Sequence, residues 1–297
     1  MIHEIEELLE RQVRKWPQFA KGIEGLARAK TWPVRIDWFD VFIRHIPHRV
    51  ASTTASVDRE SVAKRPCFLC AANLPAEEEG LQFDDFTIYC NPLPIVEHHL
   101  TIVHREHGLQ QIENRFGNML DLAAALPGYF VIYNGPECGA SAPDHMHFQA
   151  GWRGLFPIEK DTAGLTGVAV PNYGRNVFLL RGRDRSALIH RMDRAIVLLA
   201  ETTGKRPEPM VNIAVFHERG EWVTYLFPRK KHRPEVFHTG ELTVSPASID
   251  LCGIFVVPLA QDFEKITGDA IAAIFREVTL PDDQVQEVAK KLNSVLS

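Results

Sequence analysis

Three things are scarce in this chain, and each scarcity narrows what it can be. Neither sign of charge dominates: 33 basic residues stand against 38 acidic ones, for a net charge of −5. Such a balance gives no global pull toward nucleic acid or an acidic membrane, and leaves only local basic patches to consider. Long apolar runs are missing, and no stretch approaches the length of a membrane span. The opening decapeptide, Met1 to Glu10, is acidic and amphipathic, unlike a secretory signal. Cysteine is sparse and odd in number, five in 297 residues, so a disulfide framework is not expected. The expectation is a soluble cytoplasmic protein that uses neither a membrane nor nucleic acid. With 45% hydrophobic residues it can bury a core for one large domain or two.

What is present reads as alternating helices and strands. Residues 2–15 and 17–30 have helical spacing, with Pro17 opening the second helix. Residues 32–50 alternate in the manner of one or two strands, and 51–66 form a polar crossing loop. Glu77 to Gly80 reads as an acidic surface turn. Strands are expected at 86–90, 100–103 and 129–133, with a helix over 108–126 that stops at Pro127-Gly128. After a glycine-rich segment around 161–175 come a strand at 177–180 and a helix at 186–202 capped by Asp184 or Ser186. A hairpin follows at 211–227, turning at Arg219-Gly220. A buried strand at 251–257 and helices at 263–278 and 282–296 close the chain. The strand–helix–hairpin order of the second part echoes the first. We therefore expect an α+β fold in which a duplicated unit makes a mainly antiparallel sheet flanked by helices. Residues 1–297 would form a single domain, with a catalytic half at about 30–160 and a degenerate half at 170–297.

The chemistry concentrates in Asn134-Gly-Pro-Glu-Cys-Gly-Ala-Ser141 and the residues that follow, His145-Met-His147-Phe-Gln149. In a strand, side chains two apart share a face. His145, His147 and Gln149 would thus point together into a site, while Met146 and Phe148 enter the core. The loop ahead of them could receive an anion on the N–H groups of Gly139 to Ser141, helped by Asn134 and the Ser141 hydroxyl. A neutral imidazole here could attack phosphorus, provided that its other nitrogen donates to a carbonyl. His147, central on that face, suits the role, and Gln149 can donate to a phosphate oxygen but cannot act as an acid. Cys67-x-x-Cys70 offers two thiolates to one ion, with His98, His99 and His145 as candidates to complete a tetrahedron. Two buried thiols or a redox pair are the alternatives. His104 and His107 read as surface or capping residues. Arg229, in the basic run 229–233, could hold the β-phosphate or a sugar phosphate, although a solvated loop face would look the same.

At these residues the chain resembles the His-x-His-x-Gln branch of the histidine-triad superfamily. That branch includes galactose-1-phosphate uridylyltransferase, diadenosine tetraphosphate phosphorylase and GDP-hexose phosphorylase. Gly139-Ala-Ser141-Ala-Pro143 ahead of His145-Met-His147-Phe-Gln149-Ala150 is similar to the phosphorylase and transferase signature, with Asp144 as one residue more than the pattern. Pro94 to His107 is similar to the superfamily segment in which two histidines stand eight positions apart. Residues 245–257 and Asp262-Phe-Glu-Lys265 are similar to the second half of the GDP-hexose phosphorylases, and residues 1–60 lie outside the resemblance. The resemblance implies zinc on Cys67, Cys70, His99 and His145, and it sets Asn91 near the nucleoside. It also implies a nucleotidyltransferase that takes a nucleotide sugar and then phosphate or a sugar phosphate, through a nucleotidyl-His147 intermediate. A dinucleoside polyphosphate phosphorylase and a catalytically silent nucleotide-binding protein are the alternatives. A histidine-triad hydrolase is disfavoured because Gln149 replaces the third histidine. The site could lie at a homodimer seam or be completed within the duplicated chain.

Overall fold

The computed structural model describes residues 1–170 and 173–293. Pro171 and Asn172, within the expected glycine-rich segment, and the end of the last expected helix lie outside these described residues. Among the described residues, eleven strands fall into two sheets. Three of them, β1 (Lys30–Ile36), β2 (Phe39–His45) and β11 (Ile254–Val257), make a small sheet in which β11 runs parallel to β2. The other eight are β3 (Gly80–Phe83), β4 (Phe86–Cys90), β5 (Leu100–His104), β6 (Tyr129–Asn134), β7 (His147–Trp152), β8 (Phe178–Gly182), β9 (Val211–Glu218) and β10 (Glu221–Pro228). They pair antiparallel throughout in the order β3-β4-β5-β7-β6-β9-β10-β8. The fold is α+β, a large antiparallel sheet flanked by helices.

Local chemistry sets most boundaries. The Asp184 carboxylate accepts from Ala187 N at 2.9 Å and starts the helix Arg185–Thr203, which ends at Gly204 with φ +69°. The β9–β10 hairpin turns through Arg219 and Gly220, both at positive φ, as a tight right-twisted hairpin requires. Four expectations change. The helix over 108–126 is confined to Phe116–Ala125, because Gln110 is buried and bonded to strand backbone instead of continuing a helical turn. The region 263–278 divides into Ala260–Lys265 and Gly268–Val278, with the Thr267 side chain capping the second helix. Glu77 to Gly80 leads straight into an additional strand, β3, and residues 50–63 hold two short helices, Val50–Thr54 and Arg59–Ala63.

The large sheet has a core on each face. Beneath one face, alternate residues of every strand (Ile88, Ile102, Val131, Phe148, Ile213, Leu226) pack on the helices Phe116–Ala125 and Arg185–Thr203. On the other face, Ile132, Ala214, Phe216, Tyr225 and Leu179 pack under the small sheet and the helix Gly268–Val278. That cover stops short of β4, β5 and β7. There the same alternation turns Tyr89, Thr101, Val103, His147 and Gln149 toward a cavity. Gly151 marks the edge of the cover: a Cβ on it would lie 2.6 Å from Val96 Cγ2 and 2.9 Å from Phe130 Cζ.

Candidate active site

His147 opens β7, whose register is fixed by Val103 opposite His147 and Thr101 opposite Gln149. The buried Gln110 braces this start. Its Oε1 accepts from His147 N at 2.8 Å, and its Nε2 donates to the carbonyls of His147 and Asn134 at 3.0 Å each. The His147 ring is 3% exposed, and its Nδ1 lies 2.8 Å from His145 O. A carbonyl only accepts, so Nδ1 carries the proton and Nε2 keeps its lone pair. Among the described residues nothing else bonds to that ring. Burial draws its pKa down to about 4, so the imidazole is neutral at neutral pH.

The amide of Gln149 is oriented by His99. Ile95 N donates to His99 Nδ1 at 3.2 Å, so Nε2 carries the His99 proton and donates to Gln149 Oε1 at 2.8 Å. With its oxygen engaged, Gln149 keeps its NH2 group without a partner among the described residues. Burial, with Arg49 nearby, takes the His99 pKa down to about 3 and keeps this arrangement neutral. His99 therefore does not join the thiols, contrary to the expected ligand set.

The thiol cluster lies at the opposite end of β5. Cys67 Sγ is 3.3 Å from His145 Nδ1, and Cys70 Sγ is 3.2 Å from His107 Nδ1. The donor atoms of Cys67, Cys70, His107 and His145 all lie within 4.8 Å of one another. A tetrahedral zinc site has ligand atoms about 3.3–3.8 Å apart, so the cluster needs little contraction to close on one ion. His145 Nε2 donates to His104 O at 2.7 Å, which aims Nδ1 at the thiols, as the outer partner of a metal-bound histidine does. Burial pushes the Cys67 thiol up to about 11, so a bound cation would be what holds it as thiolate. His107, read from the sequence as a surface residue, takes the place expected for His99. The cause is the antiparallel register, which sets the start of β5 beside Gln149 and its end beside His145.

The other expected site residues separate into three groups. Gly139, at φ +98°, and Ser141 line the cleft beside Gln149, and no backbone acceptor among the described residues takes the N–H groups of Gly139 to Ser141. Asn91 also lines it, held by Thr101 Oγ1 and by Leu93 N at 3.0 Å each. Asn134 reaches the cleft wall, while its Oδ1 is occupied by Ser248 N, Ser248 Oγ and Asn212 Nδ2. Arg229 does not reach it. The side chain is 1% exposed, and its five N–H bonds go to Val278 O, Asn212 Oδ1, Pro246 O, Lys231 O and His232 O. A guanidinium with five donors used has none for a phosphate. It clamps β10 to the segments at 246 and 278.

Residues that the motifs did not single out complete the walls. Trp16, Phe68 and Tyr89 line the apolar cavity in front of His147, together with Glu78, whose carboxyl is pushed up to about 7 by burial. Arg49 precedes the short helix Val50–Thr54, and Ser52 lies within it. Asp144, the additional loop residue, pairs with Arg65 at 3.2 Å, and Arg65 also donates to Ser141 O at 3.3 Å.

The fold is a mixed α+β one built on a large antiparallel sheet. Comparison with known proteins agrees with this. Residues 8–152 match a family described as a domain of unknown function (DUF4922), and residues 161–297 match the GDPGP1-like C-terminal domain. Yeast Ap4A phosphorylase Apa2 in complex with AMP superposes with a TM-score of 0.58 at 16% identity, over 92% of this chain and 97% of that one. The same yeast protein, Ap4A phosphorylase Apa2, solved in a separate crystal structure, gives 0.55 at 17% identity, over 89% and 94%. At such identities the likeness is one of fold. No curated protein sequence matches the chain. The second half of the chain thus matches a GDPGP1-like C-terminal domain, and the chain shares its fold with yeast Ap4A phosphorylase Apa2.

Proposed function

We propose that the protein is a nucleotidyltransferase that cleaves a nucleoside-diphosphate hexose by way of a covalent nucleotidyl-His147. The observation that carries this reading is the His147 ring: neutral, tied through Nδ1 to its own strand, and presenting Nε2 beside the Gln149 amide. Nε2 attacks the α-phosphorus, the N–P bond forms, and the bond from phosphorus to the bridging oxygen breaks. The electron pair leaves on that oxygen as hexose 1-phosphate. Phosphate, or another sugar phosphate, then takes the nucleotide from His147 and restores the lone pair. Gln149 and the N–H groups of Gly139 to Ser141 offset charge on the non-bridging oxygens. Gln149 has no proton to give, which suits acceptors that arrive ionised better than water.

Cys67, Cys70, His107 and His145 would hold a structural zinc ion that fixes the start of β7 and takes no part in transfer. We also read the chain as two related halves in one sheet, with β3 to β7 catalytic and β8 to β10 the degenerate copy. In support, the halves meet edge to edge at β6 and β9, and the second supplies no histidine pair at the cleft.

Incubation with GDP-, UDP- and ADP-hexoses and with diadenosine polyphosphates, followed by intact mass measurement, tests the reading. A nucleoside monophosphate adduct is expected with a nucleotide sugar. An adduct with diadenosine polyphosphates alone would move the assignment to a dinucleoside polyphosphate phosphorylase. No adduct and no turnover with any member would leave a nucleotide-binding protein.

A further inference from the structure

Two cavities meet beside Gln149, and they differ in size and chemistry. The one containing His147 has a volume of about 510 Å³ and carries Trp16, Phe68 and Tyr89. The other, about 90 Å³, is lined by Thr53, Arg233, Ser245 and Asp250, and among the described residues the one ring that reaches it is the His232 imidazole. Arg49, Ser52, Asn91, Ser141 and Gln149 line both, and among these Arg49 is the one cation.

We propose that Arg49 grips the phosphate lying between the two cavities, and that the smaller cavity takes a phosphorylated polyol. This rests on the nucleotide-sugar reading above and assigns its second half to a place in the structure. Three arginines compete for such a role, and their hydrogen bonds decide between them. Arg65 is committed to Asp144 and Ser141 O. Arg233 ties Thr53 O and Ala55 O, at 2.8 Å each, to Ser245 Oγ, and it lines the smaller cavity without reaching the one that holds His147. Arg49 spends one N–H on Leu93 O at 3.0 Å, and among the described residues the others have no acceptor. Its backbone is fixed against the same turn, since the neighbouring His48 bonds to Pro94 O at 2.8 Å. A guanidinium anchored on one side with a free edge on the other is a phosphate fork.

The smaller cavity suits hydroxyls. The Thr53 hydroxyl can donate or accept, while Ser52 Oγ, which donates to Arg49 O at 3.0 Å, and Ser245 Oγ, which accepts from Arg233 Nε, each keep a lone pair for a hydroxyl. Asp250, which already accepts from Ala247 N and Val256 N, keeps lone pairs for a sugar hydroxyl. In the transfer step, Arg49 would stand beside the bridging oxygen as the electron pair settles there, so the leaving sugar phosphate needs no proton.

Calorimetric titration of the full chain with α-D-glucose 1-phosphate, inorganic phosphate and guanosine tests this. Glucose 1-phosphate should bind wild type more tightly than phosphate does. Arg49→Gln should weaken glucose 1-phosphate binding by about 10–100-fold, the worth of a charge-assisted pair, with Arg49→Lys between the two. Thr53→Phe, which narrows the smaller cavity, should remove the preference for glucose 1-phosphate over phosphate. Guanosine, with no phosphate, should bind all four proteins alike wherever thermal melting shows them folded. Unchanged affinity of Arg49→Gln for glucose 1-phosphate, or no binding of that probe to wild type, would overturn the proposal. A missing nucleotidyl adduct would instead count against the transferase reading, because these titrations do not depend on turnover.

Discussion

The two ends of the eight-stranded sheet are built from the same alternation and put to opposite uses. Over β6, β9 and β10, the second face is sealed by the small sheet and the helix Gly268–Val278. Over β4, β5 and β7, the corresponding side chains meet a cavity. Polar residues follow the cover. On the sealed side Arg229 and Asn212 satisfy one another and nearby carbonyls, so they hold the fold. On the open side His147, Gln149 and Arg49 each keep bonding capacity unspent. The lesson is that a buried polar residue belongs to the site only when its partners leave an atom free.

That contrast can be broken by mutation, beginning where the effect is largest. His107→Ala should take bound zinc from near one equivalent to almost none by elemental analysis, whereas His99→Ala should leave the metal in place and slow transfer by loosening Gln149. Equal zinc in both variants would contradict the four-donor cluster. Arg229→Met strands the carbonyls of Val278, Pro246, Lys231 and His232, and should cost about 4 kcal/mol in urea unfolding. The molecules that remain folded should keep their affinity for sugar phosphate. Gln149→Ala should do the reverse, with Tm held and the transfer rate down about 100-fold, near 3 kcal/mol of barrier.

The smallest effect concerns pH. Glu78 is half-buried in the open cavity, and its carboxyl is raised from 4.5 to about 7 by burial, with no hydrogen bond to its side chain among the described residues. A carboxyl raised in the fold favours the folded state below its unfolded pKa, and that advantage is lost as pH rises through 7. Melting should therefore fall by roughly 2 °C between pH 5 and 8 on this account, and Glu78→Gln should remove that slope. An unchanged slope in Glu78→Gln would mean that the carboxyl is solvated after all.

Much of this was legible in the residues themselves. β4, β5 and the β9–β10 hairpin carry strong period-two patterns between turn signals, and they stand where the sequence puts them. His147 and Gln149 could be set on one face because strand geometry alone dictates it. Three features were hidden, for separate reasons. The exchange of His107 for His99 depends on which end of β5 meets His145, a matter of register between strands more than forty residues apart. Arg229 sits in a run of basic residues that looks solvated, and only the packing of β10 against the segments at 246 and 278 shows it to be the buried member. Trp16 stands between the first two helices and Arg49 just after β2, neither within a motif. Their meeting in the cleft follows from long-range folding, which no local pattern encodes.

The central claim, that the open face exists to present His147 Nε2, has a direct test. The full chain is incubated with its best nucleotide sugar, denatured in base to preserve an N–P bond, digested and mapped by mass spectrometry. A nucleoside monophosphate on His147, absent in His147→Ala and lost when phosphate is added, is the predicted result. Turnover with no modified His147, or an adduct that persists in His147→Ala, would contradict it.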